Sequence, residues 1–309
     1  MALPEWFHEL AGRVRNWGRW GVLDEIGTVN LIDDVARRRG AASVRSGRAF
    51  SLAMSLQQDL LNTADEGPTT RLHMMTAVNA SLTGDLREFS TSDDTLHIGM
   101  HDWTHWDALA HVSYDGLLYN GFPAFSVTGD GAARCAIHKI PSLVSRGVLL
   151  DIARLKGVDC LEGSYAITAD DLDAAADLAN VRVEPGDVVL IRTGKMRALL
   201  QQPPDRLGYM FPNPGPSLNT VEWFRRHDVA AVANDTLTFE VYPSERAGVQ
   251  LPVHLLHLVD MGLTQGQNFV LDALGDDCAD DGQYTFLLDA SPLPVVGGTG
   301  SIVNPVAIK

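Results

Sequence analysis

Histidine and aspartate are concentrated in one short stretch of the sequence. Residues 101–111, HDWTHWDALAH, hold three of the 10 histidines. His101, His105 and Asp107 offer two imidazoles and one carboxylate, a ligand set that suits Zn²⁺, Mn²⁺ or Fe²⁺ and leaves positions open for water and substrate. His111 would then stand just outside as a proton carrier. The stretch predicts a catalytic metal site, against the alternatives of a solvated loop or of core histidines bonded to backbone carbonyls.

No single regular element brings these side chains together. On a straight helix Asp107 lies about 240° round from His101. On a strand the side chains share one face, but His101 and His111 would be roughly 33 Å apart. We therefore expect a strand end or tight loop through His101 to Thr104, followed by a short helical stretch in which Asp107 and His111 are i,i+4 neighbours. Thr104 would cap that stretch.

Some residues outside the ligand set are candidates for supporting roles. Trp103 and Trp106 could wall the site and exclude water. Asp235 follows a predicted strand and could accept the free N–H of a ligand histidine, since such histidines usually donate to an acceptor. Alternatively, Asp235 has no role in the site and only ends the strand in a turn; the sequence favours both interpretations equally. His97 is expected to be structural.

The elements that must position this segment form an α/β pattern. Apolar, β-branched runs predict buried strands at residues 49–56, 71–78, 147–153, 187–194, 229–235 and 284–290. Helical patterns begin at Asp33, after Thr168 as N-cap and after Ser217 as cap, and a further one over residues 251–262 ends at Gly262. Burial on both faces with intervening helices predicts a single α/β domain with a mostly buried mixed sheet.

Composition narrows the class of partner. The net charge of −15 argues against a nucleic-acid or anionic-membrane surface, so a small-molecule substrate is expected. The N-terminus lacks a continuous apolar segment and no run of eighteen apolar residues occurs, which predicts a cytoplasmic protein without a membrane span. The three cysteines contain no CxxC pair, so neither a disulfide framework nor a thiolate zinc site is indicated. No nucleotide-binding glycine motif follows a predicted strand.

The spacing H-x-x-T-H-x-D-x-x-x-H resembles a known signature. It is similar to the H-x-G-T-H-x-D-x-P-x-H pattern of the metal-dependent cyclase family, which includes bacterial kynurenine formamidases and isatin hydrolases. Further stretches resemble the longer branch of that family: residues 16–32, 114–124, 145–157, 184–194, 251–262 and the C-terminal PLPVVGGTGSIVNPVAI. The resemblance covers nearly the whole chain and implies a swivelling β/β/α-type fold.

The resemblance also implies roles for individual residues. It implies three metal ligands, His101, His105 and Asp107. His111 matches the histidine assigned to acid–base work, and His254 matches a histidine that helps to bind a second metal in binuclear members. The glutamate that accompanies this histidine in the family aligns with Gln267 of this sequence. A neutral amide is a poorer cation ligand than a carboxylate, so we expect one divalent ion, Mn²⁺ or Zn²⁺.

Two departures from the family pattern affect the pocket. Trp103 replaces a glycine and Leu109 replaces a proline, so the loop or the pocket wall differs from that of the short formamidases. The N-terminal arm, residues 1–30, carries Trp6, Trp17 and Trp20. These indoles could fix the arm to the domain by packing against it. In this family the arm is expected to contribute to an aromatic-lined substrate site or to a neighbouring subunit, which implies a homo-oligomer, a dimer or tetramer.

The implied activity is hydrolysis of a C–N bond. A divalent metal lowers the pKa of bound water from about 16 toward 7, giving hydroxide, and polarises the substrate carbonyl. His111, with an ordinary pKa of about 6.5, would carry the proton to the departing nitrogen. The expected enzyme opens a cyclic amide (lactam or imide) or an aryl formamide. A metal-dependent cyclase or dehydratase acting on a polyketide-like intermediate needs the same groups.

Two further functions use the same residues. An Fe²⁺ oxygenase could use His105, Asp107 and His254 as a facial triad. The chain has no arginine after His254 and only the terminal Lys309 to hold a co-substrate carboxylate, and the α/β pattern is not that of a jelly roll. A non-catalytic metal-binding protein would bind the ion with His111 dispensable.

Overall fold

The computed structural model of the protein describes residues 3–57, 73–201 and 211–309. The strands are, in chain order, β1 (Ala49–Ser51), β2 (His73–Ser81), β3 (Ser90–Leu96), β4 (His105–Asp107), β5 (Val127–Thr128), β6 (Gly131–Ala132), β7 (Val144–Asp151), β8 (Ala166–Ile167), β9 (Val188–Arg192), β10 (Gly215–Pro216), β11 (Ala231–Asn234), β12 (Thr264–Gln267), β13 (Thr285–Asp289), β14 (Gly300–Ile302) and β15 (Val306–Ile308).

The helices alternate with the later strands. The α-helices are α1 (Glu5–Val14), α2 (Asp34–Ala42), α3 (Ile152–Leu155), α4 (Ala169–Leu178), α5 (Lys195–Gln201), α6 (Thr220–Arg226), α7 (Pro252–Leu255) and α8 (Asp272–Asp281). A π-helix, Leu256–Met261, continues α7 without a break. Short 3₁₀ helices lie at Gly27–Leu31, Tyr119–Gly121, Ala124–Ser126 and Ile137–Lys139.

A mixed sheet of nine strands is the centre of the described structure. Its strand order is β1-β15-β13-β7-β9-β11-β12-β4-β14. The middle strands β7, β9, β11 and β12 pair in parallel, and the pairs on both flanks are antiparallel. The chain is therefore a mixed α/β single domain, as predicted from the sequence.

Both faces of the central strands are buried, as the apolar runs predicted. In β7 the side chains of Val148 and Leu150 pack in one core cluster with Phe7 of α1, while Leu149 packs in a second cluster with Leu274 of α8. Successive side chains of a strand point to opposite faces, so these clusters lie on opposite sides of the sheet. Helices therefore cover the sheet on both faces.

Four predicted strands are confirmed and two predictions need correction. The runs at 147–153, 187–194, 229–235 and 284–290 form β7, β9, β11 and β13. The run at 49–56 forms only the short β1. Residues 71 and 72 lie outside the described residues, and the rest of the run at 71–78 enters β2, which is exposed rather than buried. Strand β2 pairs with β3 as a separate hairpin, so its apolar side chains do not enter the core.

Three of the predicted helix boundaries are confirmed. The Asp33 side chain accepts a hydrogen bond from the Ala36 amide and caps α2. Thr168 caps α4 in a reciprocal capping box with Asp171, and Gly262 ends the π-helix in the left-handed region. The prediction of Ser217 as a cap is wrong. Helix α6 begins after Asn219 instead, and the Ser217 hydroxyl donates to the Asn219 side chain.

The N-terminal arm is fixed to the domain by polar contacts. The Trp17 indole donates to the Val259 carbonyl at 2.7 Å, and Arg15 forms an ion pair with Asp260 at 2.7 Å. Both partners lie in the π-helix, so the arm supports this irregular segment. Within the described residues, no helix has the length and apolar character that a bilayer crossing requires.

We predict that Thr168→Ala lowers the free energy of unfolding by about 1 kcal/mol, because the first turn of α4 loses its capping hydrogen bond. Urea titration followed by circular dichroism measures the change. Asp170→Ala is the matched control, since Asp170 is exposed in the same turn and should cost less than about 0.5 kcal/mol. Equal losses for the two variants would contradict the capping assignment.

Candidate metal centre

Strand β4 presents two of the predicted ligands on one face of the sheet. His105 and Asp107 are two residues apart in this strand, so their side chains share a face and Trp106 points to the other. The strand lies between β12 and β14, with Gln267 opposite His105 and Gly300 opposite Asp107. Both ligand candidates are therefore held by backbone pairing on either side.

The helical stretch expected after Thr104 does not form. Pairing with β12 and β14 makes His105–Asp107 a strand, and Thr104 does not cap a helix. Its hydroxyl donates to the Asn268 carbonyl at 2.6 Å and accepts from the Met54 amide at 2.8 Å. A turn, closed by the bond from the His111 amide to the Ala108 carbonyl at 2.9 Å, brings His111 back toward Asp107.

Three imidazoles surround one oxygen of Asp107. The distances from Oδ1 to the Nε2 atoms are 3.4 Å for His105, 3.8 Å for His101 and 4.0 Å for His111. One ligand atom each from His101, Asp107 and His111 lies within 4.8 Å of the other two. The rings of His101 and His111 stack, with 4.2 Å between centroids. The bend in the chain thus gathers all four residues, and it places His111 inside the cluster rather than beside it.

Two unsatisfied atoms show that this cluster fits a cation. His101 Nε2 and Asp107 Oδ1 are buried and have no hydrogen-bond partner among the described residues. Buried polar atoms are normally paired, so two such atoms facing each other fit a positively charged partner. His105 Nδ1 donates to the Trp103 carbonyl at 2.6 Å, which leaves the Nε2 lone pair directed at the cluster. The residues present therefore suit a divalent ion.

Gly300 provides the space for the His101 ring. A Cβ atom at position 300 would collide with the His101 imidazole. Because Gly300 lies opposite Asp107 in the ladder between β4 and β14, its missing side chain lets His101 approach the carboxylate. A glycine in a strand is often explained by such a close approach.

The electrostatics favour the protonation states that a cation needs. Burial lowers the pKa of His101 to about 4 and lowers that of His111 as well. Burial alone would raise the pKa of Asp107, but the interaction with the neighbouring His111, His105 and His254 holds it well below its usual range. These directions favour an ionised Asp107 beside neutral His101 and His111, which are the forms that bind metal.

The second oxygen of Asp107 faces a different set of residues. Gln267 Nε2 donates to Oδ2 at 2.8 Å, and His254 Nε2 lies 4.0 Å from the same oxygen. The carboxamide oxygen of Gln267 is buried without a partner among the described residues. The structure therefore brings the predicted residues His254 and Gln267 to the cluster, on the side away from the unsatisfied Oδ1.

Glu240 is a site residue that the sequence reasoning missed. Its carboxylate accepts hydrogen bonds from His254 Nδ1 at 2.7 Å, from the His254 amide at 2.8 Å and from the Val253 amide at 2.9 Å. Burial alone would lower the pKa of His254, but the hydrogen bond and charge of Glu240 raise it. Glu240 lies 14 residues before His254, and no spacing rule connected the two.

Two predicted supporting residues lie elsewhere. Trp106 does not wall the site, because it points into the core, donates to the Ala290 carbonyl at 2.8 Å and packs edge-on against Phe269. Asp235 does not orient a ligand histidine. Its fully buried carboxylate accepts hydrogen bonds from the Thr193 amide and hydroxyl and from the Gly194 amide, at 2.7–2.8 Å. It therefore ties the end of β9 to the end of β11.

Trp103 and His97 are not part of the cluster. The Trp103 side chain is buried against Met54, Met196 and Leu199 and lines an apolar cavity of about 410 Å³. Its contribution to the cluster is the backbone carbonyl that holds His105. His97 is exposed.

Comparisons with known proteins agree with the fold. The family model described as "Putative cyclase" matches residues 48–241. The crystal structure of a novel cyclase is 33% identical with a TM-score of 0.85, and the match covers 96% of this chain and 100% of that chain. A search of curated proteins finds no significant match.

Two more distant structures share the fold alone. Isatin hydrolase A from Ralstonia solanacearum is 19% identical with a TM-score of 0.57, over 84% of this chain and 91% of that chain. A protein described as a "predicted metal-dependent hydrolase" from Bacillus stearothermophilus is 16% identical with a TM-score of 0.51, over 84% of this chain and 97% of that chain.

We predict that Glu240→Gln lowers the free energy of unfolding by about 1–3 kcal/mol, because the new amide group faces N–H donors and leaves them unsatisfied. It should also shift the ¹⁵N resonances of the His254 ring. Glu222→Gln is the control, since Glu222 forms only an exposed ion pair with Arg13 and should change stability by less than about 1 kcal/mol. Unchanged His254 resonances in Glu240→Gln would show that the glutamate does not hold the ring.

Proposed function

Since this chain belongs to the cyclase family, we propose that it is a metal-dependent hydrolase that opens a cyclic amide (lactam or imide) or an aryl formamide. The observation that carries the proposal is the pair of unsatisfied buried atoms, His101 Nε2 and Asp107 Oδ1, 3.8 Å apart beside His111. Similarity in fold to isatin hydrolase A and to a metal-dependent hydrolase supports the same class of reaction.

The proposed centre holds one divalent ion, Mn²⁺ or Zn²⁺. The proposed ligands are His101, His105 and Asp107. A cation bound there would polarise a substrate carbonyl and lower the pKa of a water molecule. Gln267 donates its amide N–H to Asp107 Oδ2, so it acts as a partner of the carboxylate at the position where a second cation would need an anionic ligand.

His111 is the proposed proton shuttle. Its side chain is 32% exposed, whereas that of Asp107 is 1% exposed, so His111 can exchange protons with solvent while it faces the cluster. Burial lowers its pKa, which favours the neutral form that accepts a proton from water at neutral pH. It would then donate that proton to the departing nitrogen. The stacked ring of His101 holds the imidazole in place.

A cyclase is the second candidate, and one comparison favours it. The structure that is 33% identical over nearly the whole chain is described as a novel cyclase. A cyclase or dehydratase acting on a polyketide-like intermediate would use His111 to move a proton at carbon rather than at nitrogen. The substrate in either case is a small molecule, because a net charge of −15 is unsuited to a nucleic acid.

We predict that the purified protein contains one Mn²⁺ or Zn²⁺ ion per chain, and that His105→Ala loses it. His111→Ala should keep the ion and lose about 10²–10⁴-fold in turnover, as expected for removal of a general acid–base group. Elemental analysis measures the metal, and absorbance assays with isatin and N-formylkynurenine measure turnover. His97→Ala is the control and should match the unmodified protein in both.

The outcomes separate the alternatives. Loss of the ion in His111→Ala but not in His105→Ala would exchange their assigned roles. Metal without turnover of either probe would contradict the amide hydrolase and favour the cyclase. Absence of metal from the purified protein and after incubation with Mn²⁺ or Zn²⁺ would overturn the proposal.

We also propose that the protein is a homo-oligomer, a dimer or tetramer, that assembles through the β2–β3 hairpin. This hairpin and its turn expose seven large apolar side chains, those of Met74, Met75, Val78, Leu82, Leu86, Phe89 and Leu96. Among the described strands, β2 and β3 pair only with each other. An exposed apolar patch of this kind marks an interaction surface, and unpaired strand edges favour pairing with another chain.

We predict that light scattering after size-exclusion chromatography gives a multiple of the 33.5 kDa chain mass. The double variant Val78→Lys/Leu82→Lys should shift the mass toward one chain, because two charges would enter the contact. Val296→Lys is the control, since Val296 is as exposed but lies outside the hairpin. A single-chain mass for the unmodified protein at micromolar concentration would contradict this proposal.

A further inference from the structure

A buried polar pair lies behind Asp107 and takes no part in the proposed reaction. Gln265 Nε2 lies 3.4 Å from Asp107 Oδ2, and Gln265 Oε1 lies 3.2 Å from His257 Nδ1. Asp107 is 1% exposed, and Gln265 and His257 are fully buried. A continuous series of polar contacts therefore leads from the proposed metal ligand into the core.

The sheet register explains how Gln265 reaches the carboxylate. Strand β12 runs antiparallel to β4 with Gly266 opposite Trp106 and Gln267 opposite His105. One further step of that register places Gln265 opposite Asp107, on the same face as Gln267. Gly266 between the two glutamines has no side chain, and a Cβ there would press against Trp106 and Phe269. Both amides can therefore face Asp107 at once.

The π-helix places His257 next to Gln265. His257 lies in the segment Leu256–Met261, and its ring contacts Phe224 and Phe239 edge-on, with centroids 5.2 and 5.6 Å away. An imidazole among aromatic rings is costly to bury unless its polar atoms are bonded. Its Nε2 has no partner among the described residues, so Nδ1 carries its hydrogen-bonding role. Irregular π segments occur frequently at functional sites.

The direction of each hydrogen bond follows from Asp107 Oδ2, which accepts from Gln267 Nε2 at 2.8 Å. Asp107 Oδ2 can only accept, so Gln265 must turn its NH₂ group toward it. Gln265 Oε1 then faces His257 and can also only accept. His257 must therefore carry its proton on Nδ1. Burial lowers the pKa of His257 to about 3, which agrees with a neutral ring that donates from one nitrogen.

We propose that His257 and Gln265 are positioning residues for the metal ligand Asp107. His257 orients the Gln265 amide, and that amide, together with Gln267, holds Oδ2 so that Oδ1 is left to face His101 and His105. Neither residue of the pair is a proposed ligand of the ion. The inference rests on the proposed metal-dependent function and names residues that set the affinity for the metal.

The test is a double-mutant cycle on metal affinity. The variants are Gln265→Met, which keeps the side-chain length without the donor, His257→Leu, and both together. Isothermal titration with Mn²⁺ and Zn²⁺ gives the dissociation constants, and urea titration reports the stability of each variant separately. Each single variant should weaken binding about tenfold, as for other groups that orient a metal ligand. The double variant should bind as weakly as Gln265→Met alone, since His257 acts through Gln265.

Thr264→Val is the matched control. Thr264 is fully buried in the same strand, and its position alternates with that of Gln265, so its side chain points to the opposite face. Its substitution perturbs β12 without touching Asp107 and should leave the metal dissociation constants unchanged. A loss of affinity in this control equal to that in Gln265→Met would indicate general damage to the strand and overturn the assignment.

A spectroscopic measurement tests the pair without any variant. A long-range ¹H–¹⁵N correlation spectrum of the unmodified protein should show His257 protonated at Nδ1, and a spectrum showing Nε2 protonation would overturn the proposal. Independent effects in the cycle, or variants that bind metal as tightly as the unmodified protein, would overturn it as well. Failure of the unmodified protein to bind metal would instead overturn the proposed function on which the inference rests.

Discussion

The candidate site depends on one buried carboxylate. Asp107 is 1% exposed with its pKa held below the usual range, and a charge in that position is costly unless its surroundings compensate for it. The two oxygens of Asp107 have different partners. The side-chain amides of Gln265 and Gln267 in β12 donate to Oδ2. Oδ1 faces imidazole nitrogens and accepts no hydrogen bond within the described residues. This asymmetry makes the cluster suitable for a cation rather than a closed structural network.

The sheet provides this arrangement because β4 is paired on both sides. Its short length, three residues, is enough to set His105 and Asp107 on one face and Trp106 in the core. Pairing with β12 brings the two glutamines, and pairing with β14 brings Gly300, whose missing side chain admits His101. The N-terminal arm bonds to the π-helix that carries His257. Distant parts of the chain therefore converge on one strand.

Some residues were wrongly predicted or missed from the sequence because their positions depend on strand pairing and on contacts between elements. Trp106 was expected in the site because it neighbours the ligands, but strand alternation turns it away from them. Asp235 was chosen for its place after a strand, and the N–H groups at the end of β9 take its carboxylate. Glu240, Gln265 and His257 carry no local signal, because their contacts join different elements of the fold, 14 positions apart for Glu240 and His254 and 158 for Gln265 and Asp107.

The sequence by itself determined the residue types of the candidate site, the family signature, the buried central strands and several helix ends, since side-chain chemistry, apolar periodicity and capping are local properties. Only the tertiary structure decided which oxygen of Asp107 is free, how His111 returns to the cluster and which acceptor orients His254. Those features depend on the register of β4 against β12 and β14 and on the turn after Asp107. Register is set by the packing of whole faces, which no short stretch of sequence contains.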